Sequence, residues 1–474
     1  MGETLIDGGT VVTVDQSRRV IDDGAVLIRD GTIAAVGTAS TLRDEHDVAT
    51  VINAEGSLVT PGFIDTHVHV PDILSRGVGK GRDLYDWLFN VKRPFVHGMT
   101  PEEHAIASAL YCYETISAGT TCFVENAGGS GSGYREEIIE AKLEVYDRAG
   151  IRNVYAHCFL DEPSTPELQE YIETQTRKEP AVNHVKEPLL ETDAALERVE
   201  TLLERHHGTA DGRQQIWPGP FLARGVSPEG LRRSYELAEE YDVMTTTHTA
   251  ESPLQQTQLS SNVEYLHSTG YLGERTLLGH CVQLSENDQR LLGKTGTKVA
   301  HNVATNLALA AGVAPVPELH RHGVTVGLGT DNPCVNDTAG PLSDLRLAAL
   351  THTGHRRDPA AISPQTVLEM ATIDAARAIG CEDELGSIAV GKQADLVIID
   401  CERPNMVPVI DPVSTIVYQA QPSDISTVFC DGDVVYADGA VPAIDRLYPD
   451  LFAEAKSVST TALERAGLTE LSEI

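Results

Sequence analysis

PGFIDTHVHV, residues 61–70, is the stretch on which the reading of the chain turns. An apolar run over 57–64 ends in Asp65, and His67 and His69 follow two residues apart. Residues two apart on a strand point to one face. Two imidazoles leaving a strand on one face can grip a single metal ion, and Pro61-Gly62 punctuates the entry. Working outward, other apolar runs also stop at polar residues. His248 follows VMTTT (243–247), and Glu251 comes three residues later in THTAES. His280 follows Leu277-Leu278-Gly279, and Asp331 ends VGLGTD (326–331).

From about residue 60 to 385, strand-like runs alternate with helical periodicity, the mark of α/β units. The strands are expected at 58–64, 120–125, 153–159, 215–217, 243–247, 276–279, 298–300 and 325–329. Helices are expected at 101–118, 134–149, 192–205, 228–241, 285–295 and 364–379. Eight such units predict a closed parallel barrel with its site at the carboxyl ends of the strands, where the polar residues converge. Three imidazoles and a carboxylate there suit a divalent metal with an open water position. The charged, Pro-containing segment 161–191 reads as an excursion over the barrel mouth or side.

Both chain ends read as short strands. They are expected at 4–7, 10–15, 25–29, 32–36, 51–53 and 58–60, and again within 385–400 and at 416–419, 425–430 and 434–437. Asp30-Gly31 and Asp431-Gly432 are hairpin signals. The domains predicted are a β unit from 1–59 plus 386–446, a barrel from 60–385, and a terminal helical segment, 447–474, with Pro449 in the first turn of its helix.

A chain of 474 residues, 41% hydrophobic, can bury a large core. No apolar run approaches ~18–20 residues, so no membrane span is expected. MGETLIDGGTVV lacks the pattern of a secretory signal, which predicts a cytoplasmic protein. Eight scattered cysteines without CxxC read as reduced, mostly buried thiols. Asp and Glu outnumber Lys and Arg 70 to 36, a net charge of −34, which repels nucleic acid. Only 9 of those 36 cations are Lys. An acidic, Lys-poor surface reads as halophilic adaptation.

PGFIDTHVH, HTAE, LGHC and GLGTD, with LGSIAVGKQADLVIID (385–400), resemble the amidohydrolase superfamily over nearly the whole chain. The likeness is to its mononuclear aminohydrolase and chlorohydrolase branch, nearest the atrazine chlorohydrolase and melamine deaminase group. YDWLFNV (85–91), VENA (124–127), HGTADGR (207–213), GVAPVPEL (312–319), GTDN (329–332) and EMATIDAARAIG (369–380) carry that closer resemblance. It implies a distorted TIM (β/α)8 barrel with a small flanking β-sandwich, one Zn²⁺ or Fe²⁺ per chain, and a homo-oligomer. Carried over position by position, His67, His69, His248 and Asp331 would bind the metal. Glu251 would shuttle protons, and His280 would hold the metal-bound water or polarise the substrate. Other superfamily members bridge two metals with a carboxylated Lys on the fourth strand. No Lys occurs between Lys186 and Lys294, which disfavours that arrangement.

The expected reaction is deamination of an amino-substituted purine, pyrimidine or triazine-type ring. A divalent metal lowers the pKa of bound water to roughly 7, and the resulting hydroxide attacks the ring. Asp331 accepts the water's proton, and Glu251 protonates the ring nitrogen beside the attacked carbon. The alternatives are a chlorohydrolase acting on a triazine-like ring and a non-catalytic scaffold. Asn332 resembles the chlorohydrolase, whereas Leu84 and Val335 do not. Leu84, Trp87, Phe221 and Val335 are expected to wall the substrate pocket beside Asn332, with few charges beyond the metal shell. Adenosine-type deaminases of the branch place a ribose-binding Glu where Val96 stands and a His where Phe221 stands, so a ribosylated ring is not expected. His97, His104, His206, His207, His320 and His322 are assigned to the surface, and His301 either lines the mouth or stays structural.

The charge balance yields a test. The melting temperature should rise markedly from dilute buffer to molar KCl, as salt screens the self-repulsion. A flat response would remove the halophilic reading.

Overall fold

The computed structural model describes residues 3–128, 135–163, 165–174, 182–184, 189–255 and 260–472. Five strands open the chain: β1 (Glu3–Val12), β2 (Val20–Arg29), β3 (Thr32–Thr38), β4 (Thr50–Asn53) and β5 (Ser57–Pro61). Eight more alternate with helices: β6 (Phe63–Val68), β7 (Thr120–Ala127), β8 (Arg152–Phe159), β9 (Gln214–Pro220), β10 (Thr245–Thr249), β11 (Thr276–His280), β12 (Lys298–His301) and β13 (Val326–Leu328). β14 (Leu396–Asp400), β15 (Ile425–Cys430) and β16 (Asp433–Ala437) follow.

The two chain ends share one sheet, ordered β16-β15-β14-β5-β1-β2-β3, with β4 beside β1. It curls back on itself: Ile33 N donates to Lys392 O (2.8 Å), and Gly391 N donates to Ile33 O (2.9 Å). Ile6, Val26, Val59, Leu396, Ile398 and Phe429 fill the space it encloses. The flanking layer is therefore a single continuous sheet folded over its own core.

β6 to β9 form one parallel sheet and β10 to β13 another, each in chain order. Two seams join these halves into the distorted barrel. At one, Asp331 N donates to His67 O (2.8 Å) and His69 N donates to Asp331 O (3.0 Å). At the other, His248 N donates to Phe221 O (3.3 Å) and Ala223 N donates to His248 O (3.2 Å). Asp65, fully buried, sits at the first seam. It accepts from His67 N (3.2 Å), Thr330 N (3.0 Å), the Thr330 hydroxyl and Tyr111 Oη (3.4 Å). Burial still pushes its carboxyl up to about 6.

Several expectations need correction. The run 58–64 is not one strand. It divides at Gly62, which lies so close to Thr121 that a Cβ would meet its Oγ1 at 2.3 Å. β5 stays in the outer sheet and β6 enters the barrel, so the outer sheet includes residues up to Pro61. The runs 4–7 and 10–15 merge into one strand that ends at Val12, short of 13–15, and is irregular where Gly8 takes φ +82°. Ile416–Gln419 is not a strand. Pro412–Tyr418 is a helix capped by Asp411, which accepts from Val413 N, with Pro at its first position. The helix expected over 364–379 is two, Pro364–Met370 and Ile373–Ala378. At the break, Ala371 O accepts from Ile64 N of β6 (2.9 Å) instead of continuing the helix. The last helix runs Leu451–Ala466, so Pro449 precedes it. Its Arg465 pairs with Glu103 (2.6 Å), which ties it to the barrel helix Pro101–Ser117. Tyr134 of the expected helix 134–149 lies outside the described residues, as does part of 161–191; the described helix is Glu136–Ala149. No helix among the described residues is long and apolar enough to cross a membrane.

Asp65→Ala should destabilise the protein by about 2–4 kcal/mol, because it strands buried donors from both halves. Urea unfolding reads this directly, and an unchanged midpoint would overturn the seam assignment.

Candidate active site

The ends of β6, β10 and β11, with the turn after β13, bring His67, His69, His248, Glu251, His280 and Asp331 into one buried cluster. Ala250, His280, Cys281 and Asp331 take φ of +52°, +72°, +50° and +65°. Left-handed backbone in non-glycine residues is costly, and here it gathers where the strands deliver their side chains.

Hydrogen bonds fix which imidazole nitrogens carry protons. His69 Nδ1 lies 2.8 Å from Asn126 O, and His248 Nδ1 lies 2.6 Å from Phe221 O. A carbonyl oxygen only accepts, so both Nδ1 atoms are protonated donors. Their Nε2 atoms are then lone pairs facing one another at 3.1 Å. His67 Nδ1 lies 2.9 Å from the Asn126 side-chain nitrogen, and Asn126 Oδ1 has no partner. Turning that amide places its oxygen against Nδ1 and leaves His67 Nε2, otherwise unpartnered, as a third lone pair. Asp331 Oδ1 lies 3.6 Å from His67 Nε2 and 3.4 Å from His69 Nε2.

Burial first, and then neighbouring positive charge, holds His67, His69 and His248 well below the usual imidazole range. Three neutral lone pairs and a carboxylate oxygen at such spacing repel unless a cation lies between them. Metal–nitrogen bonds of about 2.0–2.1 Å in tetrahedral geometry give ligand separations of about 3.3–3.4 Å, close to those seen. The donor set fits one divalent ion. Two overlapping groups have mutual metal-binding spacing, His67-His69-Asp331 and His67-His248-His280. Backbone beside His67 must be bare: a Cβ on Gly329 would approach its Cβ to 2.8 Å.

His280 Nδ1 lies 3.0 Å from Asn306 Oδ1, which leaves Nε2 facing Glu251 Oε2 at 3.6 Å and Asp331 Oδ2 at 4.0 Å. Burial pushes the Glu251 carboxyl up to about 7, and the Asp331 charge adds to this. Burial also raises Asp331. Gln255 Oε1 accepts from Glu251 N (2.9 Å) and pins the loop.

A cavity of about 690 Å³ opens over the cluster. Leu84, Trp87, Phe221 and Asn332 line it as expected, but Val335 does not. The turn Asn332–Asn336 buries that side chain and aims its carbonyl at Lys80 Nζ (2.6 Å). The wall is also more charged than expected, with Lys92, Arg93, Glu162 and Glu173 on it. Leu168, Gln169, Glu173, His184 and Leu189 of the 161–191 excursion reach this mouth. Behind His69 a chamber of about 30 Å³ meets Val96, His104, Glu125 and Lys142. His104 is buried there, not on the surface: its helix position faces the Glu125–Lys142 ion pair. His301 is buried against His352 (3.1 Å) and lies away from the cavity.

Sequence reasoning missed Asp65, Asn126, Asn306 and Lys92. Asn126 stood inside VENA with no role attached, and Lys92 directly follows YDWLFNV, where the helix widens into a π-turn over Leu88–Lys92. Such a turn often marks a functional site.

The fold and site define a class, and comparison with known proteins agrees. The amidohydrolase family profile matches residues 58–435, and the chain belongs to that family. A short match to an imidazolonepropionase-like composite domain of bacteria covers residues 24–47. The chain is 33% identical to an S-triazine hydrolase of Gordonia rubripertincta, over 99% of this chain and 98% of that protein. It is 32% identical to a 5-methylthioadenosine/S-adenosylhomocysteine deaminase of Nitratidesulfovibrio vulgaris, over 98% and 99%. Among solved structures, an adenosine deaminase from Xanthomonas campestris with bound zinc superposes with a TM-score of 0.85 at 26% identity, over 97% of this chain and 98% of that one.

Chelation should remove about one equivalent of metal per chain and lower the melting temperature, because the ion binds only the folded site. Two tightly held ions per chain would overturn the single-site reading.

Proposed function

We propose that the protein is a metal-dependent hydrolase that deaminates an amino-substituted nitrogen heterocycle of purine, pyrimidine or triazine type. The observation that carries this is the convergence of three imidazole lone pairs and Asp331 beside a buried, readily protonated Glu251. His67, His69, His248 and Asp331 would hold the ion, zinc or iron. A bound divalent ion would lower the pKa of water towards about 7.

Asp331 Oδ2 has no hydrogen-bond partner of its own and would accept a proton from the attacking water. Glu251, with its pKa near 7, is available as an acid at neutral pH and would protonate the ring nitrogen beside the attacked carbon. His280 Nε2 faces both carboxylates and would orient the water or the polarised ring. Trp87 and Phe221 offer flat apolar walls to a planar ring. The cavity exceeds what one bare ring fills, so the substrate carries a substituent towards the apolar side formed by Leu160, Leu168 and Leu189. Relatives named as deaminases and as a triazine hydrolase support exchange of a ring substituent for hydroxyl. Halide loss from a triazine-like ring is the second reading, favoured by the cation on the cavity wall.

Two measurements test this. Metal-replete protein should release ammonia from at least one member of a panel of amino-purines, amino-pyrimidines and amino-triazines, with free bases and nucleosides compared. Glu251→Gln should keep fold and metal but lose roughly 10²–10⁴-fold in turnover. Near-normal turnover in that variant would remove its role as proton donor.

A further inference from the structure

Lys92 is the only lysine among the described residues on the wall of the main cavity. Its Nζ donates to Asn332 Oδ1 (3.1 Å) and pairs with Asp72 Oδ2 (3.2 Å). It also lies 5.5 Å from the centre of the Trp87 ring. An ammonium has three N–H groups. Asn332 takes one and Asp72 faces the ammonium as an ion pair, which leaves an N–H without a further protein acceptor among the described residues. Asn332 Nδ2 in turn donates to Asp331 Oδ1 (2.8 Å). The side chain is about nine-tenths buried, and Asp72 beneath it is almost fully so. A buried ion pair is expensive to keep, and replacing it with apolar residues is often neutral or stabilising. A structural role explains why Asp72 is there. It does not explain why the cation faces the cavity.

The inference rests on the hydrolytic reading above. In that reaction Glu251 serves the ring nitrogen. Asp331 turns Oδ2 towards His280, beside Glu251, and Oδ1 towards Asn332, which holds Lys92, so Lys92 stands across Asp331 from Glu251. We infer that Lys92 is a leaving-group residue, whose free N–H donates to the atom expelled from the ring. Water oxygen forms the new bond to ring carbon, and Asp331 takes the water's proton. The carbon–leaving-group bond breaks with its electron pair going to the departing atom. A halide or thiolate then leaves as an anion against the ammonium, and the proton passes to solvent. An amine must instead take that proton to leave as a neutral molecule, so a nearby positive charge helps it little. Lys92 thus favours loss of groups that depart as anions over loss of an amine.

The experiment compares holoenzyme and Lys92→Met on one triazine ring carrying either chloride or an amino group. The kcat/KM for the chloro compound should fall about 10²-fold, against less than about tenfold for the amino compound. Equal losses would overturn the proposal and leave Lys92 as a positioning residue for Asn332. Lys92→Met leaves Asp72 as a lone buried charge, so Asp72→Asn with Lys92→Met is measured beside it, and the same selectivity shift is expected. A second readout is independent of turnover. Azide is titrated into the cobalt-loaded protein and followed by visible absorption. Azide should bind about tenfold more weakly to the double variant, and unchanged affinity overturns the anion contact. If the wild type turns over neither triazine, the hydrolytic reading is decided by the wider panel of heterocycles, and the azide titration alone decides Lys92.

Discussion

Two backbone hydrogen bonds, Asp331 N to His67 O and His69 N to Asp331 O, hold the first barrel strand against the last. The residues that make them also carry the side chains that would bind the ion. At the opposite seam His248 exchanges backbone bonds with Phe221 and Ala223, and its ring donates to the Phe221 carbonyl. The two half-barrels are therefore joined by the same residues that build the site. Barrel closure and ligand geometry are a single constraint, and Asp65 reinforces it from below by accepting from both halves at once.

This explains the electrostatics. A site at a closing seam is buried beneath its cavity, so His67, His69 and His248 lose solvent and stay neutral. The burial that strips protons from imidazoles keeps them on carboxyls, and Glu251 rises to about 7. One cause prepares neutral ligands and an available acid within a few ångströms. Left-handed backbone at His280 and Asp331 is the cost of aiming side chains from strands that end so abruptly.

The parts legible in sequence were those where chemistry abuts a strong apolar run. His67, His69, His248, His280 and Asp331 each stand at such a stop, so the strand pattern alone located them. Glu251 was legible through the resemblance that HTAE carries, three residues after His248. The division at Gly62 was hidden because 57–64 is one unbroken apolar run; only the contact of Gly62 with Thr121 shows that two sheets share it. Pro412–Tyr418 was misread because Ile416, Val417 and Tyr418 favour strands, while the Asp411-Pro412 cap that decides the matter is a local signal. His104 and the Lys92–Asp72 pair could not be placed, because their partners lie about 20 to 40 residues away and a charge pattern does not reveal which charges turn inward.

The outer sheet draws on both ends of the chain, and that sets an order of events. β5 is finished early in synthesis, yet its partner β14 begins 335 residues later, with Pro61 paired to Leu396. Until that segment emerges from the ribosome, one edge of β5 is bare and open to strands of other chains. Pairing over such a span is also slow, since the loop must close before its contacts repay it. β6 continues from β5 through Gly62 and is closed on its other edge by Asp331, so the histidines it carries settle only when the last third of the chain has arrived. Metal capture would then be a late event, waiting on the second half-barrel that brings His248 and Asp331 to the histidines of the first.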